Sequence, residues 1–178
     1  VVALDKTGTL TKGGPEVTDI VPFGTDSKTL LSVAASVEQN SDHPLAKAIV
    51  GKTKEQGVSL VAVDGFDTFG GKGVAASVDG QETLMGNRLF LAERSVSIGA
   101  DVEETLKGLE EQGKTVVLAA QRGVILGLIA IADPLKETTP RAISRFKAMG
   151  LKVAMVTGDN ARTAKAIGQA AGIDKIIS

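Results

Sequence analysis

Val1-Val2-Ala3-Leu4-Asp5-Lys6-Thr7-Gly8-Thr9-Leu10-Thr11 opens the chain as an apolar run that ends on a carboxylate and breaks into a Gly/Thr-rich turn. This reading predicts a strand over Val1–Asp5, with Asp5 at the carboxyl end of a buried strand, where open α/β sheets bind their ligands. An Asp so placed is a candidate phosphoryl acceptor. A carboxylate is a weak nucleophile, so it needs Mg²⁺ to neutralise charge on the transferring phosphoryl group and donors to hold that group in line. Backbone N–H groups of the turn after Asp5 and the Thr hydroxyls are candidate donors. Taken alone, Asp-Lys-Thr-Gly also reads as an Asp capping a turn.

A second segment repeats the arrangement near the other end. The strand-like run Leu151–Val156 leads into Thr157-Gly158-Asp159-Asn160, and a helical pattern runs from Ala161 to about Gly172. Strand, short polar turn and helix N-terminus make an anion site, because unpaired N–H groups and the helix dipole face the ligand. Thr157 is then placed like Asp5. A plain helix cap by Asp159 or Asn160 is the alternative.

Composition bounds what lies between. The chain has 178 residues, 43% of them hydrophobic, enough for one domain or two small ones with a core. A net charge of −1 without a Lys/Arg run leaves no footprint for nucleic acid, and the absence of Tyr and Trp removes base-stacking platforms. No stretch of 18 apolar residues occurs, so no membrane span is expected. Zero Cys excludes disulfides and thiolate metal sites within these residues. A chain without initiator Met that opens inside a strand suggests an excised fragment.

Residues 1–14 and 133–178 read as parallel α/β, with strands Val1–Asp5 and Leu151–Val156 and helices Lys136–Met149 and Ala161–Ala171. Residues 15–132 read as α+β. Strands are predicted at Glu16–Phe23, Leu60–Phe69, Val74–Val78, Gln81–Met85, Thr115–Gln121 and Val124–Ala132. Helices are predicted at Ser27–Asn40, Pro44–Gln56, Arg88–Ser95 and Val102–Gln112. Asp79-Gly80 signals a hairpin. Gly13-Gly14-Pro15 and Asp133-Pro134-Leu135-Lys136 punctuate the two crossings between these regions and are hinge candidates.

Within the insertion stands Ser41-Asp42-His43-Pro44-Leu45, which carries the chain's one His. Pro44 suits the first position of a helix, with Asp42 or His43 as its cap. A His there has its imidazolium form disfavoured by the dipole and keeps one N–H for a ligand. Glu38 lies five residues earlier, Gly70-Gly71-Lys72-Gly73-Val74 opens a strand, and Met85-Gly86-Asn87 closes a hairpin. Glycines at such points let a ligand approach the backbone, or simply mark a turn or bulge.

Together these segments resemble the P-type ATPases, ion pumps that pass through an aspartyl-phosphate. DKTGTLT matches their phosphorylation motif and TGDN their second motif. Glu-x4-His-Pro, Gly-x-Gly and Gly-Asn resemble the nucleotide pocket of the heavy-metal branch that exports Cu⁺, Ag⁺, Zn²⁺, Cd²⁺ or Co²⁺, most of all the Cu⁺ exporters.

The resemblance implies a truncated haloacid-dehalogenase-like (Rossmann-like) phosphorylation (P) domain, 1–14 and 133–178, with an inserted α+β nucleotide-binding (N) domain, 15–132. It implies ATP and Mg²⁺ as cofactors and Asp5 as acceptor. Lys6, Thr7, Thr157, Gly158 and Asp159 would surround the phosphoryl group, with Asp5 and Thr7 on the metal. Glu38 would bond the adenine amino group, His43 would contact the ring, and Gly71, Gly73 and Gly86 would line base and ribose. Phosphatases of the same superfamily carry a second Asp two residues after the nucleophile, as general acid-base. Here that position is Thr7, which cannot shuttle a proton near neutral pH, so the aspartyl-phosphate should persist.

Actuator and transmembrane domains of the same polypeptide are the implied partners, and the setting is the cytoplasmic face of a membrane protein. The transported ion would bind outside this fragment. A superfamily phosphatase and a nucleotide-binding module without turnover are the alternatives.

Overall fold

The computed structural model describes residues 1–158 and 161–177, and local signals account for most of its elements. In chain order these are β1 (Val2–Asp5), β2 (Glu16–Pro22), α1 (Ser27–Glu38), α2 (Pro44–Glu55), β3 (Val63–Phe69), β4 (Gly73–Val78), β5 (Gln81–Gly86), α3 (Arg88–Glu93), α4 (Ala100–Glu111), β6 (Thr115–Gln121), β7 (Val124–Ala132), α5 (Thr139–Ala148), β8 (Val153–Val156), α6 (Ala161–Ala171) and β9 (Lys175–Ile177). They fall into two compact units, Val1–Pro15 with Gly108–Lys114 and Ala132–Ser178, and Glu16–Lys107 with Thr115–Ile131.

The first unit holds a parallel sheet in the order β1-β8-β9. Helix α5 packs on β8, and α6 packs on α5 and β9. Leu10, Ile143, Val153, Met155, Ala164, Ala171 and Ile173 form its buried core. The sheet corrects two expectations. Among the described residues β1 lies at the sheet edge, and separately Val2 and Leu4 on one face are half-buried while Ala3 and Asp5 on the other are exposed, so the strand is not buried on both faces. The sheet also has a third strand, β9, whose three residues are too few to show a period.

The second unit is a six-stranded sheet in the order β2-β7-β6-β5-β4-β3, with antiparallel pairing from β3 through β7. Alternation along the strands sends Val74, Ala76, Val78, Met85, Val117, Ala119, Ile129 and Ile131 to one face, against Leu30, Leu31, Ala34, Ala35, Val37 and Ile49 of α1 and α2. The intervening Leu84, Leu118, Ala120, Leu128 and Ala130 are buried as well, with α3 packed on β5 and β6. Burial on both faces explains why β6 and β7 read as continuous apolar runs. Asp79 and Gly80, at φ 52° and 71°, turn the β4–β5 hairpin in the left-handed geometry expected of Asp-Gly.

Three helix starts are set by side chains. Asp26 accepts from Lys28 N at 2.9 Å and Thr29 N at 3.1 Å to cap α1. His43 caps α2 and Asn87 caps α3. Two elements, β3 and α5, start three residues later than expected, for visible reasons. Val61 N donates to Ser36 Oγ at 2.8 Å rather than to a strand, so β3 begins at Val63. Lys136 N donates to Leu10 O at 3.0 Å, which holds that backbone outside α5 until Thr139.

Candidate functional site

Parallel pairing of β1 with β8 brings Asp5 opposite Val156 in register, and Thr157 follows directly. Asp5 and the buried Thr157 therefore leave adjacent strands at the same carboxyl edge. Thr157 N donates to Ile177 O at 3.0 Å, which ties this edge to β9. Gly158 comes next, whereas Asp159 and Asn160 lie outside the described residues. Asp5 and Thr7 are exposed and Lys6 half-buried, so this edge is open to a ligand.

The loop after Asp5 is one wide turn, Lys6–Leu10, with Gly8 in the left-handed region at φ +74°. One of its N–H groups is occupied within the loop: Gly8 N donates to Thr11 Oγ1 at 3.1 Å, and Thr11 N, just past the turn, donates to Lys6 O at 3.1 Å. Thr11 is fully buried, and its Oγ1 lies 2.6 Å from Asp133 Oδ2 and 3.0 Å from Lys6 O. One hydroxyl proton serves one acceptor at a time, and the short contact to a carboxylate is the stronger. The other oxygen, Asp133 Oδ1, accepts from Gly13 N at 3.0 Å and Gly14 N at 3.3 Å. Lys136 Nζ donates to Gly8 O and Thr139 Oγ1 to Leu10 O, each at 2.6 Å. Residues 133–139 thus frame the acceptor turn. Reading Asp133–Lys136 only as hinge punctuation missed that role; the available signal was a carboxylate placed directly before Pro134.

The second unit contains a cavity of about 350 Å³ that gathers the other sequence candidates. Glu38, Ser41 and His43 come from the α1–α2 corner, Thr68–Val74 from the β3–β4 turn, Met85–Asn87 from the end of β5, and Thr115–Val117 from β6. Volume and mostly apolar lining with few polar groups suit a small organic ligand. Glu38 ends α1 with 8% of its surface exposed. Burial pushes its carboxyl up to about 7, opposed by a hydrogen bond from Ser41. A carboxyl lining a cavity at that protonation midpoint can accept a hydrogen bond from a ligand amino group when ionised or donate one to a ring nitrogen when protonated.

His43 caps α2 through its ring: Leu45 N donates to Nδ1 at 3.2 Å. Acceptance at Nδ1 assigns the ring proton to Nε2, which leaves one N–H for a ligand, as the helix-start position implies. The cap and the remaining donor are therefore two ends of one ring.

Gly73 and Gly86 sit opposite each other in the β4–β5 register. A Cβ on Gly73 would lie 2.7 Å from the Phe90 ring and 2.8 Å from Gly86 Cα; one on Gly86 would lie 2.8 Å from Phe90 and 2.9 Å from Gly73 Cα. Both are needed by the fold, because Phe90 packs onto bare backbone there, and both also line the cavity. Gly71 lies on the turn at φ +69°. Asn87, which sequence reasoning left without a role, caps α3 by accepting from Phe90 N at 3.0 Å and donates through Nδ2 to Gly71 O at 3.1 Å. It fastens the glycine turn to the next helix.

A family model described as a haloacid dehalogenase-like hydrolase matches residues 1–178. A copper-transporting ATPase of Rhizobium meliloti (strain 1021) is 46% identical across the whole chain, which spans 22% of that relative's length. The crystal structure of a zinc-transporting PIB-type ATPase in its E2·Pi state superposes with a TM-score of 0.88 at 37% identity, covering 98% of this chain and 28% of that one. The catalytic domain of the CPx-ATPase CopB-B, described for its conformational changes on nucleotide binding, gives 0.70 at 26% identity over 99% of this chain and 60% of that one. The carboxylate at the edge of a parallel sheet and the full-length match together place the chain in the haloacid dehalogenase-like hydrolase family, with its sequence similar throughout to the catalytic region of heavy-metal P-type ATPases.

Proposed function

We propose that the chain is the ATP-binding and phosphorylation region of a heavy-metal-exporting P-type ATPase, with Cu⁺ the first candidate cargo. In this reading 1–14 and 133–178 form the P domain and 15–132 the N domain, on the cytoplasmic side of a membrane, linked to actuator and transmembrane domains. The observation that carries it is Asp5 beside Thr157 at one carboxyl edge of a parallel sheet, inside DKTGTLT.

ATP docks its base against Glu38 and His43, with ribose and phosphates along Gly71, Gly73 and Gly86. A carboxylate oxygen of Asp5 then forms a bond to the γ-phosphorus, the bond from that phosphorus to the bridging oxygen breaks, and ADP leaves with the electron pair. Thr157 donates to the phosphoryl oxygens with Lys6 and Gly158 beside the group, and Asp159 lies near the nucleotide phosphates. A hard cation that takes phosphate oxygens and water needs only one or two protein oxygens. Asp5 and an oxygen of Thr7 would hold Mg²⁺. Bound there, Mg²⁺ supplies charge neutralisation. Thr7, in place of an acid-base Asp, leaves the acyl phosphate without a built-in proton donor for hydrolysis, which favours a pump over a phosphatase.

Labelled ATP given to the full-length pump should yield an acid-stable, hydroxylamine-labile phosphoprotein. Asp5→Asn should abolish it while ATP binding stays nearly intact. Persistent phosphorylation of that variant would sink the assignment, and a wild-type protein that binds ATP without labelling would favour the module without turnover.

A further inference from the structure

Among the residues lining the 350 Å³ cavity, Glu38, His43 and Lys72 carry ionisable side chains, and Lys72 alone is a permanent cation. Its backbone is fixed. Lys72 N donates to Phe69 O at 2.9 Å, Asn87 N donates to Lys72 O at 2.9 Å, and Asn87 Nδ2 holds Gly71 O at 3.1 Å. Its ammonium is turned to Glu93 on α3, with Nζ 2.7 Å from Oε1 and 2.9 Å from Oε2. The two side chains are 40% and 45% exposed, so the pair is screened by solvent and easily exchanged. Arg94 and Arg88 are committed elsewhere: the Arg94 guanidinium stacks 4.6 Å from the Phe69 ring centre and 5.4 Å from that of Phe90 and pairs with Glu82 at 3.3 Å, and Arg88 pairs with Glu103 at 3.2 Å.

We infer that Lys72 is the polyphosphate-binding cation of this cavity, and that Glu93 holds its ammonium until a nucleotide phosphate replaces the carboxylate. The inference rests on the cavity being the nucleotide site. An adenine nucleotide that places its base at Glu38 and His43 brings several negative charges into a wall with one mobile positive group. That group sits on a turn whose flanking glycines, Gly71 and Gly73, put no side chain between it and the ligand. Glu93 then acts as a positioning residue. It keeps the lysine extended beside the mouth, and it competes with the phosphates, so it weakens binding of phosphorylated ligands and leaves the nucleoside untouched.

The test is calorimetric titration of the 178-residue chain with adenosine, AMP, ADP and ATP, for the wild type, Lys72→Gln, Lys72→Arg and Glu93→Gln. Lys72→Gln should weaken ATP about five- to thirty-fold and adenosine less than about two-fold, which flattens the gain in affinity along the series. Lys72→Arg should restore most of the loss, and Glu93→Gln should tighten ATP by about two- to five-fold without changing adenosine. The wild-type preference for ATP over adenosine should shrink with added salt, and that of Lys72→Gln should not. Adenosine and ATP shifted equally by Lys72→Gln, or ATP unmoved by Glu93→Gln, would overturn the assignment of Lys72 while the nucleotide site stands. Absence of adenosine and ATP binding by the wild type would overturn the site itself.

Discussion

Replacing Glu38 with Gln tests the buried carboxyl directly, since the amide keeps the shape and removes the charge. Burial lifts this group from an ordinary 4.5 to about 7 in the folded chain. Between those pH values the folded state holds a proton that the unfolded state has released, so folding stability falls as pH rises through the window. The stabilising contribution is complete below pH 4.5 and lost above about 7. The full separation corresponds to about 3 kcal/mol, an upper figure because local water entry relieves part of the burial.

Wild type and Glu38→Gln should therefore be close in stability at pH 5, and the variant should gain about 1–3 kcal/mol relative to wild type by pH 8.5. Urea unfolding followed through amide resonances of α1 and β6 reads the second unit by itself, which matters because two units need not unfold as one. The same group reports on the ligand. If the adenine amino group donates to the carboxylate, nucleotide binding lowers the carboxyl's proton affinity. A proton is then released near pH 7, and calorimetry in two buffers of different ionisation heat should detect it. Parallel stability curves for wild type and variant from pH 5 to 8.5 would refute the reasoning, as would a Glu38 carboxyl resonance that titrates at 4.5.

Two further outcomes follow from packing and hydrogen bonding. Gly73→Ala or Gly86→Ala places a methyl against backbone and the Phe90 ring, and should destabilise the second unit by about 1–3 kcal/mol, whereas Gly70→Ala, which meets nothing within 4 Å, should be near neutral; thermal unfolding compares them. Asp133→Asn weakens the acceptor for Thr11 Oγ1, Gly13 N and Gly14 N and should cost about 1–2 kcal/mol, read as faster amide exchange at residues 8–14 with β4 to β7 unchanged; equal acceleration in both regions would show that the anchor is not local.

Much of the architecture was legible because its signals are local. Pro44 behind His43, Asp79-Gly80 between two apolar runs, and the β-branched apolar run in Thr115–Gln121 each name an element without reference to the rest of the chain. What was not legible depends on neighbours. Nothing in Val1–Asp5 says that one face of the strand is left open, since a continuous apolar run reads the same whether one face or two are covered. Nothing in Lys175–Ile177 marks a strand, because three residues acquire that identity only by pairing with Ala154–Val156. The late start of β3 is likewise a tertiary effect, in which Ser36 captures an N–H that the strand would otherwise use.

The site divides along the same line. Residue types announced Asp5, Thr157, Glu38 and His43, because a carboxylate after an apolar run or a His before a helix-start Pro is a local anomaly. Their working states did not follow from type. The Glu38 carboxyl reaches its raised proton affinity only because α1 ends inside the cavity, with Ser41 as the hydrogen-bond partner that opposes burial. His43 presents Nε2–H only because Leu45 N occupies Nδ1. The two residues stand on consecutive helices at one corner, so a donor of fixed tautomer sits beside a carboxyl near its midpoint. An adenine offers on one edge both an amino donor and a ring-nitrogen acceptor, and this corner can meet either in both protonation states of Glu38.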